Sequence, residues 1–259
     1  MSAPPRTADC LVIIPALDEG ARIGAVIDRL CAKVSGVDVL VVDDGSRDDT
    51  AAEAVRHGAR VVSHVVNLGY GAALQTGYKY ADRAGYASVV QMDADGQHDP
   101  ADVPRLLAPL GARRADVVIG SRFVAATDYR MGAARTAGRL FFRAVLRACG
   151  GPSIADPTSG FQALSRRAFR FCCGDFFPPD YPDIDVLLLL HRHDFRIQEL
   201  PVRMAPSPPK PAPLHAGLTA VYYTYKMLLS TFRSLLAPRI DPLPDARAGA
   251  GGSSEEPRP

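Results

Sequence analysis

Apolar and polar positions alternate along the first half of the chain in two rhythms. Short runs rich in Val and Ile at 10–14, 37–42, 60–65, 88–92 and 116–119 carry little polar interruption and read as strands buried on both faces. Between them, 23–33, 48–57, 71–84 and 101–110 repeat their apolar residues with the helical period. Ser46 with Asp49 after it resembles a capping box, and Pro100 behind Asp99 suits the first position of a helix. This alternation predicts an α/β fold, a Rossmann-like, mostly parallel sheet flanked by helices. Ligands of such sheets gather at the carboxyl ends of the strands. Further on, the pattern gives a basic helix at 135–147, a turn at Thr158-Ser159-Gly160, a helix at 184–193 and a strand at 195–202. The expected organisation is one domain over 1–205, a Pro-rich loop with an amphipathic C-terminal helix over 206–237, and a disordered tail over 238–259.

Composition narrows the classes. The 30 Lys and Arg against 28 Asp and Glu leave no charge field for a nucleic-acid partner. Five cysteines, odd in number and without a CxxC pair, point to reduced thiols and a cytoplasmic setting. Residues 1–9 are short and polar, unlike a signal peptide, and the chain shows no apolar run of spanning length.

The chemistry concentrates where the predicted strands end. In Gln91-Met92-Asp93-Ala94-Asp95-Gly96-Gln97-His98-Asp99-Pro100, residues two apart in an extended strand end project to one side. Asp93, Asp95 and Gln97 are therefore candidate ligands for a hard cation, Mg²⁺ or Mn²⁺, whose remaining positions substrate phosphate oxygens fill. Such a cation offsets charge developing on a departing diphosphate. Asp43-Asp44-Gly45-Ser46 closes another strand, one carboxylate suited to a nucleobase N–H and the other to fixing the turn; Pro15-Ala16-Leu17-Asp18-Glu19 closes the first. Asn67-Leu68-Gly69-Tyr70-Gly71 lacks the third glycine of a dinucleotide fingerprint and follows the wrong strand; it reads as a tight turn that lets backbone approach a ligand, or as simple helix entry. No P-loop occurs, nor a glycine-rich basic loop behind the first strand to hold a triphosphate.

Seven segments, IPALDE, VVDDGSRDDT, NLGYGAAL, QMDADGQHDP, GSRF, DPTSGFQALSRRAF and YPDIDVLL, spread in order over 11–202. Together they resemble glycosyltransferase family 2, on the GT-A fold, and in particular its polyprenyl-phosphate (dolichol-phosphate-mannose-synthase-like) branch. The resemblance implies an inverting, metal-dependent transferase of cell-envelope glycan synthesis, moving a sugar from a UDP- or GDP-linked donor to a polyprenyl phosphate. It implies a nucleotide-sugar site at Pro15, Ala16, Leu17, Glu19, Asp43, Asp44, Asn67, Gly71, Asp93 and Ala94. The metal falls at Asp93, Asp95 and Gln97, and the catalytic set comprises Asp95, Arg122, Arg135, Asp156 and Asp185.

Charge chemistry supports an acceptor phosphate. Arg135 and Arg139 share one helix face, and with Arg122 they form a candidate cradle, since arginine grips phosphate bidentately. A phosphate monoester, with its second pKa at about 6, needs little help from a base. Two positions depart from the family pattern. Tyr70 stands where relatives carry Lys, and the segment after 202 is Pro-rich where relatives present a basic, glycine-containing stretch; Arg203, Lys210 or His215 are the candidates to replace that charge. The helix at 214–236, with Lys226 and Arg233 on one face, suits contact with the cytoplasmic face of a membrane, packing on the domain, or pairing in a homo-oligomer. The rival readings are a same-fold transferase using a soluble hydroxyl acceptor, with Asp185 as base, and a non-catalytic scaffold.

Overall fold

A computed structural model describes residues 7–124, 133–205 and 218–236. Its strands β1 (Cys10–Ala16), β2 (Val37–Asp43), β3 (Arg60–Ser63), β4 (Ser88–Gln91), β5 (Val117–Ser121), β6 (Gln162–Ser165) and β7 (Ile197–Pro201) form one sheet in the order β3-β2-β1-β4-β6-β5-β7. Every neighbour pairs in parallel except β6, which runs antiparallel to both β4 and β5. The helices are α1 (Gly20–Lys33), α2 (Thr50–Arg56), α3 (Tyr70–Ala84), α4 (Val103–Gly111), α5 (Ala133–Ala148), α6 (Arg166–Phe171), α7 (Ile184–Arg192) and α8 (Leu218–Leu236).

The unbroken apolar runs exist because the sheet is covered on both faces. In β1, Leu11 and Ile13 enter one apolar layer while Cys10, Val12, Ile14 and Ala16 enter the other; β2 divides Leu40 and Val42 from Val39 and Val41 in the same way. Helix α1 lays Ile23, Val26, Ile27 and Leu30 onto the second layer, whereas α3, α6 and α7 cover the first. Gly85, left-handed at φ 80°, ends α3 by donating to the carbonyls of Ala81 and Asp82.

Two elements escaped the pattern, β6 and α6. Only four residues make β6, and α6 follows without a break, started by Ser165, whose Oγ accepts from Ala168 N at 3.4 Å. The capping box at Ser46 does not form. Helix α2 begins at Thr50, Ser46 Oγ instead accepts from Asp18 N at 3.0 Å, and Asp48 Oδ1 takes Thr50 N at 3.0 Å. Pro100 does open a helical segment, a 3-10 turn capped by Asp99, whose side chain accepts from Ala101 N. Strand β3 stops at Ser63, short of the expected 65, where its partner β2 ends at Asp43; the His64 ring beyond it meets Asp44 at 2.7 Å.

The C-terminal helix packs on the domain. Met227, Thr231 and Ser234 are buried, Lys226 pairs with Asp180, Ser230 bonds Asp185, and Arg192 caps the carbonyls of Ser234 and Leu235. Among the alternatives open from sequence, this is the one found for its inner face; Tyr225, Leu229 and Phe232 lie on the outer one, 61, 54 and 58% exposed. Lys226, expected to face headgroups, is spent on Asp180. Among the described residues no helix is long and apolar enough to cross a membrane. The Pro-rich segment with Lys210 and His215, and the tail from 238, lie outside the described residues.

The loop 178–180 sits directly on the start of α3. Gly71 N donates to the Asp180 carbonyl at 3.3 Å and Ala72 N to that of Pro179 at 2.9 Å. A Cβ on Gly71 would drive into the Pro178 carbonyl and stand 2.8 Å from that of Pro179. The glycine does let backbone approach, but the backbone is the chain's own. Gly71→Ala is therefore expected to lose on the order of 1–3 kcal/mol of stability. Gly111→Ala, with nothing within 4 Å of its Cβ, serves as the neutral control in the same thermal melts.

Burial lifts the Asp185 carboxyl to about 6 from 3.8, against the lowering effect of its bonds from Ser230, Val186 N and Asp183 N. A carboxyl raised on folding stabilises fully below its unfolded pKa, and that contribution disappears as pH rises through the folded value. Relative to Asp185→Asn, the native protein should thus lose about 2 kcal/mol between pH 4 and 7. Denaturant unfolding of both proteins across that range checks this; parallel pH curves would refute it.

Candidate functional site

The carboxyl edge of the sheet gathers the acidic turns. The ends of β1 and β2 are laced together. Asp44 N donates to the Ala16 carbonyl at 2.8 Å, Arg47 N to Asp18 Oδ1 at 2.8 Å, Glu19 N to Thr50 Oγ1 at 2.9 Å, and Gly20 N to Asp48 Oδ2 at 2.9 Å. Pro15 and Ala16 are buried in this seam, Leu17 is exposed at its rim, and buried Glu19 pairs with Arg22 at 2.6 Å. Asp43 Oδ1 holds Ser46 N at 3.0 Å. Asp44 takes on more: Oδ1 accepts from Leu68 N at 2.9 Å beside the His64 ring, and Oδ2 accepts from Gly69 N at 2.9 Å. Asp43 thus fixes its own turn, and Asp44 fixes the loop that enters α3. Asn67 is exposed at the edge of the same loop.

Beyond β4 the chain turns at Asp93-Ala94-Asp95-Gly96. Ala94 is 4% exposed and packs its methyl into the apolar layer below; with it anchored, both carboxylates stay half-buried above. Asp95 is braced by Gln97, through the backbone N at 3.0 Å to Oδ1 and through Nε2 to Oδ2. The Gln97 amide, expected to reach a cation, here binds its neighbouring carboxylate. Asp93 receives the Tyr70 hydroxyl on Oδ1 at 3.0 Å. His98 Nδ1 accepts from Asp93 N at 3.1 Å, which leaves the proton on Nε2, 3.5 Å from Asp93 Oδ2. Burial pushes the His98 imidazole down, and the ring stacks on Phe161 with centroids 4.7 Å apart.

Among the described residues no three His, Cys, Asp or Glu side chains gather into a metal cage. Two braced carboxylates at an open edge still fit Mg²⁺ or Mn²⁺, which bind through one or two carboxylates and complete their shell with water and substrate phosphates.

The expected phosphate cradle is assembled differently. Arg122 and Asp156 form a bidentate pair, Nε and Nη2 each 2.7 Å from a carboxylate oxygen, with Asp156 fully buried. Asp156 is thus the counter-ion of Arg122. Glu199 of β7 fixes the same loop, accepting Ala155 N at 2.7 Å and Asp156 N at 2.9 Å. Arg139 lies over the Phe123 ring at 4.1 Å and donates to the Ala155 carbonyl at 3.0 Å. Burial, then the charge of Arg143, pushes its guanidinium down, and its Nε is buried without a partner. Arg135 falls in the first turn of α5, and its side chain lies outside the described residues. Arg203 is exposed, with its backbone N on Asp102 at 3.2 Å.

Asp185, the expected base, is 1% exposed beneath α8, so no acceptor reaches it without displacing Ser230. Asp183, just before α7, is half-buried, and its side chain makes no capping bond to the helix. Tyr70 and His98 are the site-edge residues that sequence reasoning left without a role. The signal available for them was adjacency, Tyr70 within the glycine turn and His98 within the acidic run.

The model of the family described as Glycosyl transferase family 2 matches residues 11–172. An uncharacterized protein of Methanocaldococcus jannaschii is 31% identical over 197 residues, 75% of this chain and 81% of its own. An undecaprenyl-phosphate mannosyltransferase of Micrococcus luteus is 38% identical over 172 residues, 62% of this chain and 68% of its own. Among solved structures, glucosyl-3-phosphoglycerate synthase from Mycobacterium tuberculosis, in complex with Mn²⁺, uridine diphosphate and phosphoglyceric acid, matches with a TM-score of 0.68. Its identity is 26%, over 90% of this chain and 80% of that one. That match corrects the polyprenyl-phosphate branch: it spans nearly the whole chain and pairs the fold with a soluble acceptor, whereas the lipid-phosphate relative covers less. Arg122, counted in that cradle, is paired with Asp156. Membrane contact as a partner falls with that acceptor. The sheet is of GT-A type, and with 11–172 matched the chain belongs to glycosyl transferase family 2 and is a glycosyltransferase.

Proposed function

We propose that this enzyme transfers a hexose, with UDP-glucose the leading donor, to the hydroxyl of a small soluble acceptor that carries an anionic group. The observation that carries this reading is the match over 90% of the chain to the synthase held with Mn²⁺, uridine diphosphate and phosphoglyceric acid. Residues 7–205 form the catalytic unit in this reading. The cofactor is a divalent cation, Mg²⁺ or Mn²⁺, held by Asp93 and Asp95; when bound it neutralises charge on the leaving diphosphate. Asp43 and the seam at Pro15–Leu17 face the nucleotide.

The acceptor's anion falls to Arg139. Its guanidinium is oriented by Phe123, its Nε has no partner, and it stands beside Arg122, whose charge Asp156 balances. A hydroxyl is a weaker nucleophile than a phosphate dianion and gains from a base. We assign that proton to Asp183, which is half-buried where Asp185 is 1% exposed.

Nucleoside diphosphate release measured with Mn²⁺, UDP- and GDP-sugars, and either 3-phosphoglycerate or undecaprenyl phosphate in detergent tests the reading. Turnover is expected with UDP-glucose and the soluble hydroxy acid, and Asp95→Ala abolishes it. Asp183→Asn should lower kcat by roughly 10²–10⁴-fold, the range for loss of a general base, while Asp185→Asn acts mainly on stability. Turnover that requires the lipid phosphate would sink the soluble-acceptor reading.

A further inference from the structure

The brace around Asp93 is built from three separate parts of the chain. Tyr70 reaches it from the first residue of α3, with its hydroxyl on Oδ1 at 3.0 Å. His98 reaches it from the far side of the acidic turn, with Nε2 3.5 Å from Oδ2. Gly160 closes the third side: a Cβ there would stand 3.0 Å from each Asp93 oxygen and 3.0 Å from the Tyr70 hydroxyl. Neither donor is loose. His98 is 4% exposed, is flat against Phe161 with planes 10° apart, and receives the Asp93 backbone N on its other nitrogen. Tyr70 has 36% of its surface open, yet its hydroxyl end is enclosed between Asp93 and Gly160. Asp95 receives its own bonds from Gln97, within the turn. Of the two carboxylates, then, Asp93 alone is held by long-range contacts, and its rotamer reports the position of α3.

We propose that Tyr70 and His98 are positioning residues that fix the Asp93 carboxylate in the orientation in which it receives the divalent cation. The inference rests on the metal role of the Asp93 and Asp95 pair. Tyr70 donates to one oxygen and His98 sets its Nε2 beside the other at 3.5 Å, so the carboxylate keeps acceptor capacity for a metal on its open side. Fixing the side chain beforehand removes the ordering that binding would otherwise require. Partners of this kind orient ligating side chains, and their loss weakens metal binding by about 10–100-fold in known sites.

Mn²⁺ alone, titrated into the full chain and followed by the EPR signal of free Mn²⁺, gives the test. Tyr70→Phe keeps the ring and removes only the hydroxyl, so it carries the experiment if His98→Gln fails to fold. The expected result is a Kd for Mn²⁺ raised about 10-fold in Tyr70→Phe, with an unchanged melting temperature in the absence of metal. In turnover assays the KM for Mn²⁺ rises by more than kcat falls. Native-like Mn²⁺ affinity in a folded Tyr70→Phe overturns the inference and leaves the function standing. Binding in the native chain that is indifferent to Asp95→Ala removes the metal site, and this inference with it. A melting temperature that falls while Mn²⁺ affinity stays native assigns Tyr70 to packing alone and likewise overturns it.

Discussion

Asp44 ties the end of β2 to the loop that enters α3. It stands at the end of β2, buried to 4%, and its two oxygens collect His64 and the backbone N–H groups of Leu68 and Gly69. Those amides precede α3, so the carboxylate sits where a helix start offers unsatisfied donors and positive potential. Once that loop is pinned, Gly69 at φ 105° sends the chain into α3 with Tyr70 aimed at Asp93. The 178–180 loop then settles on Gly71, and through Asp180 and Lys226 it reaches α8. Removing one partner of a buried hydrogen-bonded carboxylate leaves the rest desolvated and uncompensated. For that reason Asp44 is worth far more than the turn it ends.

Carboxylates along the sheet edge divide by what meets them. Asp44, Asp156 and Asp185 are buried, and each is answered by donors of the chain itself: a loop, a guanidinium, a helix hydroxyl. Asp93 and Asp95 are braced but only half-buried. Burying a charge is tolerated only with such partners, so the first group is organising material and the second keeps capacity for a ligand. Strand β6 enforces the division. Its reversed direction between β4 and β5 brings the 156–160 turn up against the Asp93 edge, where a parallel strand would deliver its carboxyl end.

The sheet was legible because its strands are covered on both faces, which writes them as unbroken Val and Ile runs. Five of the strands and the helices between them stand within a few residues of the pattern. Strand β6 was not legible: Gln162-Ala163-Leu164-Ser165 is short, polar at both ends and fused to α6. The acidic turns were visible as clusters, but spacing does not say which oxygen is already taken. Asp43 and Asp44 are adjacent in sequence and differ in role only because Leu68 and Gly69 arrive from a distant loop. The turn at Gly69 and Gly71 read as room for a ligand or as helix entry; α3 does start there, and the space beside Gly71 holds the carbonyls of Pro178 and Pro179. The helical spacing of Arg135 and Arg139 identified a shared face, and said nothing of Phe123 or the Ala155 carbonyl.

That last distinction bears on the acceptor. A lipid phosphate presents one compact dianion, best met by several guanidinium groups with their charge intact. Here Arg122 brings a buried carboxylate with it, held in a fork at 2.7 Å, so the pair contributes shape and hydrogen-bonding edge more than net charge. Arg139 is flattened on Phe123 and crowded by Arg143, a setting that gains from one further anion nearby. A small hydroxy acid supplies that anion on one carbon and the reacting oxygen on another. Under the proposed reading the two are recognised at separate points, the charge by Arg139 and the hydroxyl by a base at the start of α7. Tyr70, whose hydroxyl donates to Asp93, would then tie the metal carboxylate to the start of α3.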